Sequence, residues 1–201
     1  MPAHAEPLAK VVLIGGASGS GKSRLAELSG LPILRLDDFY REGDDPALPR
    51  LESGEADWDH PLSWHRDRAL DALEQLARTG RTTAPLYDIS RSAATGSREI
   101  TLDGAPLFAA EGIFVAEVVA ESRRRGILHD AIVVRRSRWL TMGLRFARDL
   151  REHRKSPAFL VKRGLILAGR EPAIVARLAD AGCRPVRVRA ARRMLARAAG
   201  R

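Results

Sequence analysis

The sequence predicts an α/β fold in which a mostly parallel sheet carries helices on both faces. Three observations predict it. Short apolar runs bounded by turn residues recur along the chain, as strands of a buried sheet do. Stretches with helical spacing alternate with those runs, which is the order that parallel strands joined by crossover helices require. Between the first run and the first helical stretch lies Gly16-Ala17-Ser18-Gly19-Ser20-Gly21-Lys22-Ser23, which fits the pattern Gly, any four residues, Gly, Lys, Ser/Thr without a mismatch.

Val11-Val12-Leu13-Ile14 reads as the first strand, and Ser23 to Leu28 as the opening of the first helix. Between them the loop is a phosphate cradle. Its glycines let consecutive N–H groups and a helix N-terminus converge on an anion. In this pattern Lys22 reaches the β- and γ-phosphates of a nucleotide and the Ser23 hydroxyl ligates Mg²⁺. The alternative is a Gly/Ser-rich turn with no ligand. Strand, loop and helix together give a three-layer P-loop NTPase fold.

Leu31 to Leu36 reads as the second strand and ends on Asp37-Asp38-Phe39-Tyr40, so Asp37 falls on the same rim of the sheet as the cradle. From Asp37 to Ser63 no periodicity survives, and nine acidic residues face only Arg41 and Arg50. A loop of that length is expected to work as a lid or acceptor loop, and Tyr40, Trp58 and Trp64 are expected to pack it on something. Trp64 to Arg78 has helical spacing and stops at Thr79-Gly80. Thr83 to Tyr87 and Arg98 to Leu102 read as short β pieces that could pair as a small projecting hairpin, about 83–102, across a Ser/Ala/Thr/Gly linker. Pro106 to Ala110 reads as a core strand ending at Glu111-Gly112. A helix over Val115 to Arg124 and a strand over Ile127 to Val134 follow. Next come a basic lid helix at about 137–155, helical segments near Pro157 to Ala168 and Glu171 to Ala181, and a last strand at Pro185 to Val188.

The 201 residues suit one domain, 1–201, with no second domain required. No apolar run is long enough to span a membrane, and Met1 to Lys10 lacks the apolar region of a secretory signal, so a cytoplasmic location is expected. The single cysteine, Cys183, suits a reducing compartment. The net charge of +9 is unevenly spread: residues 1–100 carry 12 Lys and Arg against 16 Asp and Glu, and residues 101–201 carry 22 against 9. Segment 184–201 holds seven arginines and no acidic residue. That tail is expected to be a solvated face, with an anionic partner as the alternative. A nucleic-acid partner is not expected, and nothing in the sequence sets an oligomeric state.

The cradle alone does not separate a switch GTPase, a motor ATPase and a small-molecule kinase. No Asn-Lys-x-Asp stretch of the guanine-specific kind is present. A kinase needs a base near the acceptor hydroxyl and cations over the transferring phosphoryl group. Asp37 is the candidate base. Arg145, Arg148, Arg151 and Arg154 are candidate cations spaced by three, with a solvated basic face as the alternative.

With those residues in place, the chain from about Lys10 to Lys155 resembles the uridine kinase family of P-loop kinases, relatives of phosphoribulokinase and pantothenate kinase. Asp37-Asp38-Phe39-Tyr40 resembles the family's Asp-Ser-Phe-Tyr, which implies Asp37 as catalytic base and Tyr40 in the nucleoside site. Trp58-Asp59-His60-Pro61 is similar to Phe-Asp-His-Pro, implying that Asp59 binds ribose hydroxyls, although an ordinary turn would also place these residues there. Tyr87-Asp88-Ile89 resembles Tyr-Asp-Phe, implying substrate contact by Tyr87, with hairpin packing as the alternative. Phe108 to Ile113 resembles the strand ending Glu-Gly-Ile, implying Glu111 near Mg²⁺ rather than as a solvated strand end. Arg148-Asp149-Leu150-Arg151-Glu152-His153 is similar to the lid Arg-Asp-Ile-x-Glu-Arg, implying a catalytic role for Arg148 beside Lys22. Two departures stand out. The family's base-reading His corresponds to Ser92, and its paired lid arginines fall on Leu144-Arg145.

The resemblance implies ATP and Mg²⁺ as cofactors and phosphoryl transfer to a small hydroxyl-bearing acceptor, a nucleoside first. The alternatives are a kinase for a pantothenate- or sugar-type acceptor, or a non-catalytic nucleotide-binding module with an anionic partner.

Overall fold

Parallel strands put one residue type on the inside of both faces, and the apolar runs of this chain behave accordingly. A computed structural model describes residues 6–135 and 172–200. Its elements are β1 (Lys10–Gly15), α1 (Lys22–Ser29), β2 (Ile33–Arg35), α2 (Arg66–Thr79), β3 (Arg81–Asp88), β4 (Ala93–Thr101), β5 (Leu107–Gly112), α3 (Ala116–Arg124), β6 (Leu128–Arg135), β7 (Arg184–Arg187) and α4 (Val188–Ala198). Residues 172–180 are also helical. Five strands form one parallel sheet in the order β2-β5-β1-β6-β7.

Alternate residues of the strands enter two separate cores. Val11, Leu13, Leu34, Phe108, Ala110 and Val133 pack with Leu70, Leu73 and Leu76 of α2 and Val118 of α3. Val12, Ile14, Ala109, Ile132 and Val134 pack with Leu25 of α1 and Leu195 of α4. Both faces are covered, so a continuous apolar run such as Val11 to Ile14 is what the position demands. The connection after β1 runs past β5 to β2, whereas the connection after β5 runs past β1 to β6, so the crossovers from these two neighbouring strands part in opposite directions. The loop after β1 therefore opens into the crevice where ligands of such sheets sit.

The hairpin is longer than its sequence suggests. β3 and β4 pair from Arg81↔Thr101 to Asp88↔Ala93 with a bulge at Leu86/Tyr87. The expected Ser/Ala/Thr/Gly linker is mostly strand, because pairing with β3 supplies the order that Ala93 to Ser97 lack in side-chain pattern. The second strand starts at Ile33 rather than Leu31 and gives way to a 3₁₀ turn at Leu36–Phe39. The remaining boundaries shift by one or two residues. Segment 37–63 carries a second 3₁₀ turn at Pro61–Ser63 and bridges Tyr40↔Trp64 and Arg50↔Ala56. The lid helix expected at 137–155, with Arg145, Arg148, Arg151 and Arg154, lies outside the described residues, as does the segment expected near Pro157 to Ala168. Among the described residues no helix is long and apolar enough to cross a membrane.

Phe108 is fully buried at the centre of the larger core. Phe108→Ala is expected to cost about 3–5 kcal/mol of unfolding free energy, read from urea denaturation. A loss under about 1 kcal/mol would mean that the face between β2 and β1 is not packed as described.

Candidate active site

A loop can wrap an anion only if its backbone comes close to itself. At Gly16 φ is +152°, and a Cβ there would sit 2.7 Å from the Ser20 hydroxyl oxygen, so a side chain would displace the loop's own contents. Ser20 Oγ is buried without a hydrogen-bond partner, as is the Oε2 oxygen of Glu111. Gly21, with φ 91°, caps α1 in the left-handed conformation. The N–H groups of Lys22 and Ser23 then open the helix toward the loop. Buried polar atoms left unpaired are costly unless something completes them. Their place around residues 16–23 fits a phosphate group and its cation.

Lys22 sits in this cradle with its side chain 8% exposed. Its Nζ lies 3.6 Å from Asp37 Oδ2 and 3.8 Å from Glu111 Oε2. These carboxylates come from the ends of β2 and β5, adjacent strands in the sheet. They differ in access: the Glu111 side chain is 4% exposed, whereas that of Asp37 keeps 34%. Burial pushes the Glu111 carboxyl above its usual range, against the pull of Lys22, and Asp37 pushes it up further. The Ser23 hydroxyl beside Glu111 favours the ionised form.

Asp37 is fixed from its other side. The Ile113 N–H donates to Asp37 Oδ1 at 2.9 Å, which leaves Oδ2 toward Lys22. Gly112 makes this contact possible, since a Cβ there would meet Asp37 Oδ1 at 2.7 Å and Leu36 Cβ at 2.9 Å. The turn bearing Asp37 is anchored by Trp64, whose indole N–H donates to the Leu36 carbonyl at 2.6 Å. Trp64 is therefore a core residue that holds the site, which gives the expected packing of this aromatic its partner.

Beside the cradle opens a cleft of about 330 Å³, lined by Ala17, Ser18, Asp59, Phe114, Ile174 and Arg177 among others. Behind Phe114 stands an aromatic wall. The Tyr40 ring meets those of Trp58, Tyr87 and Phe114, each at a centroid distance of 5.7 Å. Burial, then the Asp37 and Asp59 carboxylates, push the Tyr40 hydroxyl above its usual range. Tyr87 is pushed up to about 12 by burial and by Glu42, and its hydroxyl donates to the Arg41 carbonyl. Both phenols stay protonated at neutral pH.

The structure thus brings together the cradle, Lys22, Ser23, Asp37 and Glu111, and places Tyr40, Trp58, Asp59 and Tyr87 on one side of them. Ser92 stands apart. It occupies the hairpin turn with φ 50°, its carbonyl accepts from Gly43 N–H at 2.7 Å, and its side chain packs on Gly43. Sequence patterns did not point to Phe114, to the place of the expected helix at 172–180 on the cleft, or to Arg98, which pairs with Asp38. The doubled aspartate was the one available signal for the last of these.

No family model matches the chain. It is 29% identical over 152 residues to a uridine kinase of Bacillus licheniformis, covering 73% of this chain and 70% of that one. It is 32% identical over 113 residues to a uridine kinase of Bacillus thuringiensis, covering 53% and 52%. The chain thus spans about half the length of several relatives it matches. In fold it is similar to a candidate fructose transport system kinase from a Silicibacter species, with a TM-score of 0.61 at 20% identity over 92% of this chain and 90% of that one. It is likewise similar to a candidate P-loop-containing kinase with a circular permutation from Saccharomyces cerevisiae, with a TM-score of 0.66 at 11% identity over 90% and 93%.

Glu111 yields a signed expectation. Its folded pKa lies above the usual 4.5, so the folded state holds the proton more tightly than the unfolded chain. Ionisation then costs stability as pH rises through the window above 4.5. Glu111→Gln is expected to leave the melting temperature at pH 7 equal or higher in the absence of nucleotide, and to flatten its decline above that window. A large drop in melting temperature at pH 7 would show that the charge is stabilising in the free protein.

Proposed function

We propose that this chain, a relative of the uridine kinases among the P-loop kinases, is an ATP-dependent kinase that phosphorylates a hydroxyl of a small molecule. The observation that carries this is Asp37. A module that only binds nucleotide needs a cradle, a cation and a metal ligand, but not a half-exposed carboxylate pinned by the Ile113 N–H with its free oxygen toward Lys22.

Each residue then has a task. The backbone of Gly16, Ala17, Ser18, Gly19, Ser20 and Gly21, with the N–H groups of Lys22 and Ser23, holds the phosphates of ATP, and the Lys22 ammonium neutralises the terminal ones. Ser23 and Glu111 would hold Mg²⁺. Among the described residues no cluster of three His, Cys, Asp or Glu side chains could cage a metal, which suits an ion held by one carboxylate, a hydroxyl and phosphate oxygens. When bound, Mg-ATP supplies the phosphoryl group and the charge that stabilises its transfer. Asp37 Oδ2 accepts the proton of the acceptor hydroxyl as the new oxygen–phosphorus bond forms and the bond to ADP breaks. Asp59 holds hydroxyls of the acceptor, and Tyr40, Trp58 and Tyr87 back the Phe114 ring that lines the cleft. Arg145, Arg148, Arg151 and Arg154 belong to the same proposal as cations over the transferring group.

A nucleoside-like acceptor, uridine first, suits the diol-binding carboxylate and the aromatic wall. Ser92 is engaged with Gly43 and offers no imidazole to read a base, so discrimination among nucleosides is expected to be weak.

Lys22→Ala is expected to weaken ATP binding at least tenfold by calorimetry, and equal affinity in the two proteins would contradict the cradle's role. Asp37→Asn is expected to reduce kcat by about a hundredfold to ten-thousandfold with ATP affinity nearly unchanged. Retention of more than about a tenth of wild-type turnover would make Asp37 a structural residue.

A further inference from the structure

Two adjacent carboxylates end β2, and they face opposite ways. Asp37 turns to Lys22 in the cradle, while Asp38 turns to the hairpin. Asp38 Oδ2 lies 3.2 Å from an Arg98 terminal nitrogen on β4, and its carboxylate also reaches the Tyr87 backbone N–H on β3. The second aspartate therefore grips both strands of the hairpin. Burial raises its pKa, opposed by Arg98 and then Arg35.

From that grip outward, hydrogen bonds close the seam between the hairpin and the chain after β2. The Tyr87 hydroxyl donates to the Arg41 carbonyl at 2.9 Å, the Ala94 N–H donates to the Glu42 carboxylate at 3.1 Å, and Gly43 N–H donates to the Ser92 carbonyl at 2.7 Å. The only ion pair in this seam among the described residues is Asp38 with Arg98, and it lies at the end beside Asp37. Arg98 Nε is buried without a partner, so Asp38 is what compensates that cation. Removing one member of such a pair costs more than removing both, because it strands the other charge.

We propose that the Asp38–Arg98 pair is a positioning device that locks the hairpin to the segment carrying Asp37, and so sets the spacing between the acceptor wall and the base. This rests on the kinase assignment for its functional consequence, but not for its structural one. Tyr87 on the hairpin touches Tyr40, and Tyr40 follows the two aspartates in the chain, so a hairpin released at Arg98 shifts the wall and the turn together. Small misplacements of a reacting hydroxyl cost large factors in rate. Nucleotide contacts lie across the cradle and are untouched.

Amide hydrogen exchange tests the lock in the free protein. In Arg98→Gln, protection is expected to fall about tenfold at Gly43 and at Ile113, whose N–H reports the position of Asp37, with no change along β1. The kinetic arm expects acceptor kcat/KM to fall about tenfold to a hundredfold while the KM for ATP stays within about twofold. Arg98→Lys, which keeps the charge but loses the planar fork, should recover part of the loss. Asp38→Asn combined with Arg98→Gln should lose no more than the worse single variant. Unchanged exchange at Gly43 and Ile113, losses that add, or a parallel rise in the KM for ATP would each overturn the proposal. If Arg98→Gln does not fold, Arg98→Lys carries the exchange arm, with a fall of about threefold expected and no change contradicting the lock. A wild-type protein without acceptor-dependent turnover would count against the kinase assignment alone, since exchange judges the pair without it.

Discussion

A lysine ammonium taken almost wholly out of water must be met by negative charge, and in this protein that requirement organises the site. Lys22 opens the helix after β1, Asp37 stands in the turn after β2, and Glu111 is the last residue but one of β5. Their meeting depends on a strand order that sets β5 between β2 and β1. The penalty for burying an unpaired charge is several kcal/mol, so Lys22 cannot lose both carboxylates without a comparable loss. Neither carboxylate is within 3.5 Å of the ammonium. The cation is thus balanced without being captured in a tight hydrogen bond, and it stays available to an anion entering the cradle.

The two carboxylates share a cation but differ in surroundings, and that difference separates their chemistry. Glu111 is enclosed, and burial opposes its ionised form, a cost that an arriving divalent ion would relieve. Asp37 remains partly open to solvent and is aimed by the Ile113 N–H. Gly112 lies between them because no side chain fits between β5 and the turn. The stability of this arrangement is supplied from further away, by Trp64 against the Leu36 carbonyl, by Phe114 stacked on Trp64, and by the hairpin seam. A rigid frame of that kind suits the role proposed for Asp37, which requires the carboxylate to be in place before an acceptor arrives.

Features carried by local pattern were legible in the sequence, and features carried by long-range contact were not. Val11 to Ile14, the cradle and the stripe of Leu70, Leu73 and Leu76 each announce their environment within a few residues. So do the acidic strand ends, and Asp37 and Glu111 fall on one rim as their positions implied. The contact of Arg98 with Asp38 spans 60 residues, that of Ile113 with Asp37 spans 76, and that of Trp64 with Leu36 spans 28. No periodicity encodes such pairs. β4 was underestimated for a related reason: Ala93 to Ser97 is mostly exposed on both sides, so its strand character comes from its partner rather than from its own side chains. The environment of Ser92 is likewise set at long range, by Gly43, which lies 49 positions earlier.

If Asp37 and the cradle act together on a hydroxyl-bearing acceptor, as proposed, the wild-type protein releases ADP in an acceptor-dependent way. The assay supplies Mg-ATP with uridine, other nucleosides and small alcohols in turn, and phosphorus NMR identifies the phosphorylated product. ADP release is expected to rise with acceptor and to yield a phosphate ester at a single hydroxyl, with a nucleoside among the substrates. ATP binding without acceptor-stimulated release across the whole panel would contradict the proposal and leave the protein a nucleotide-binding module.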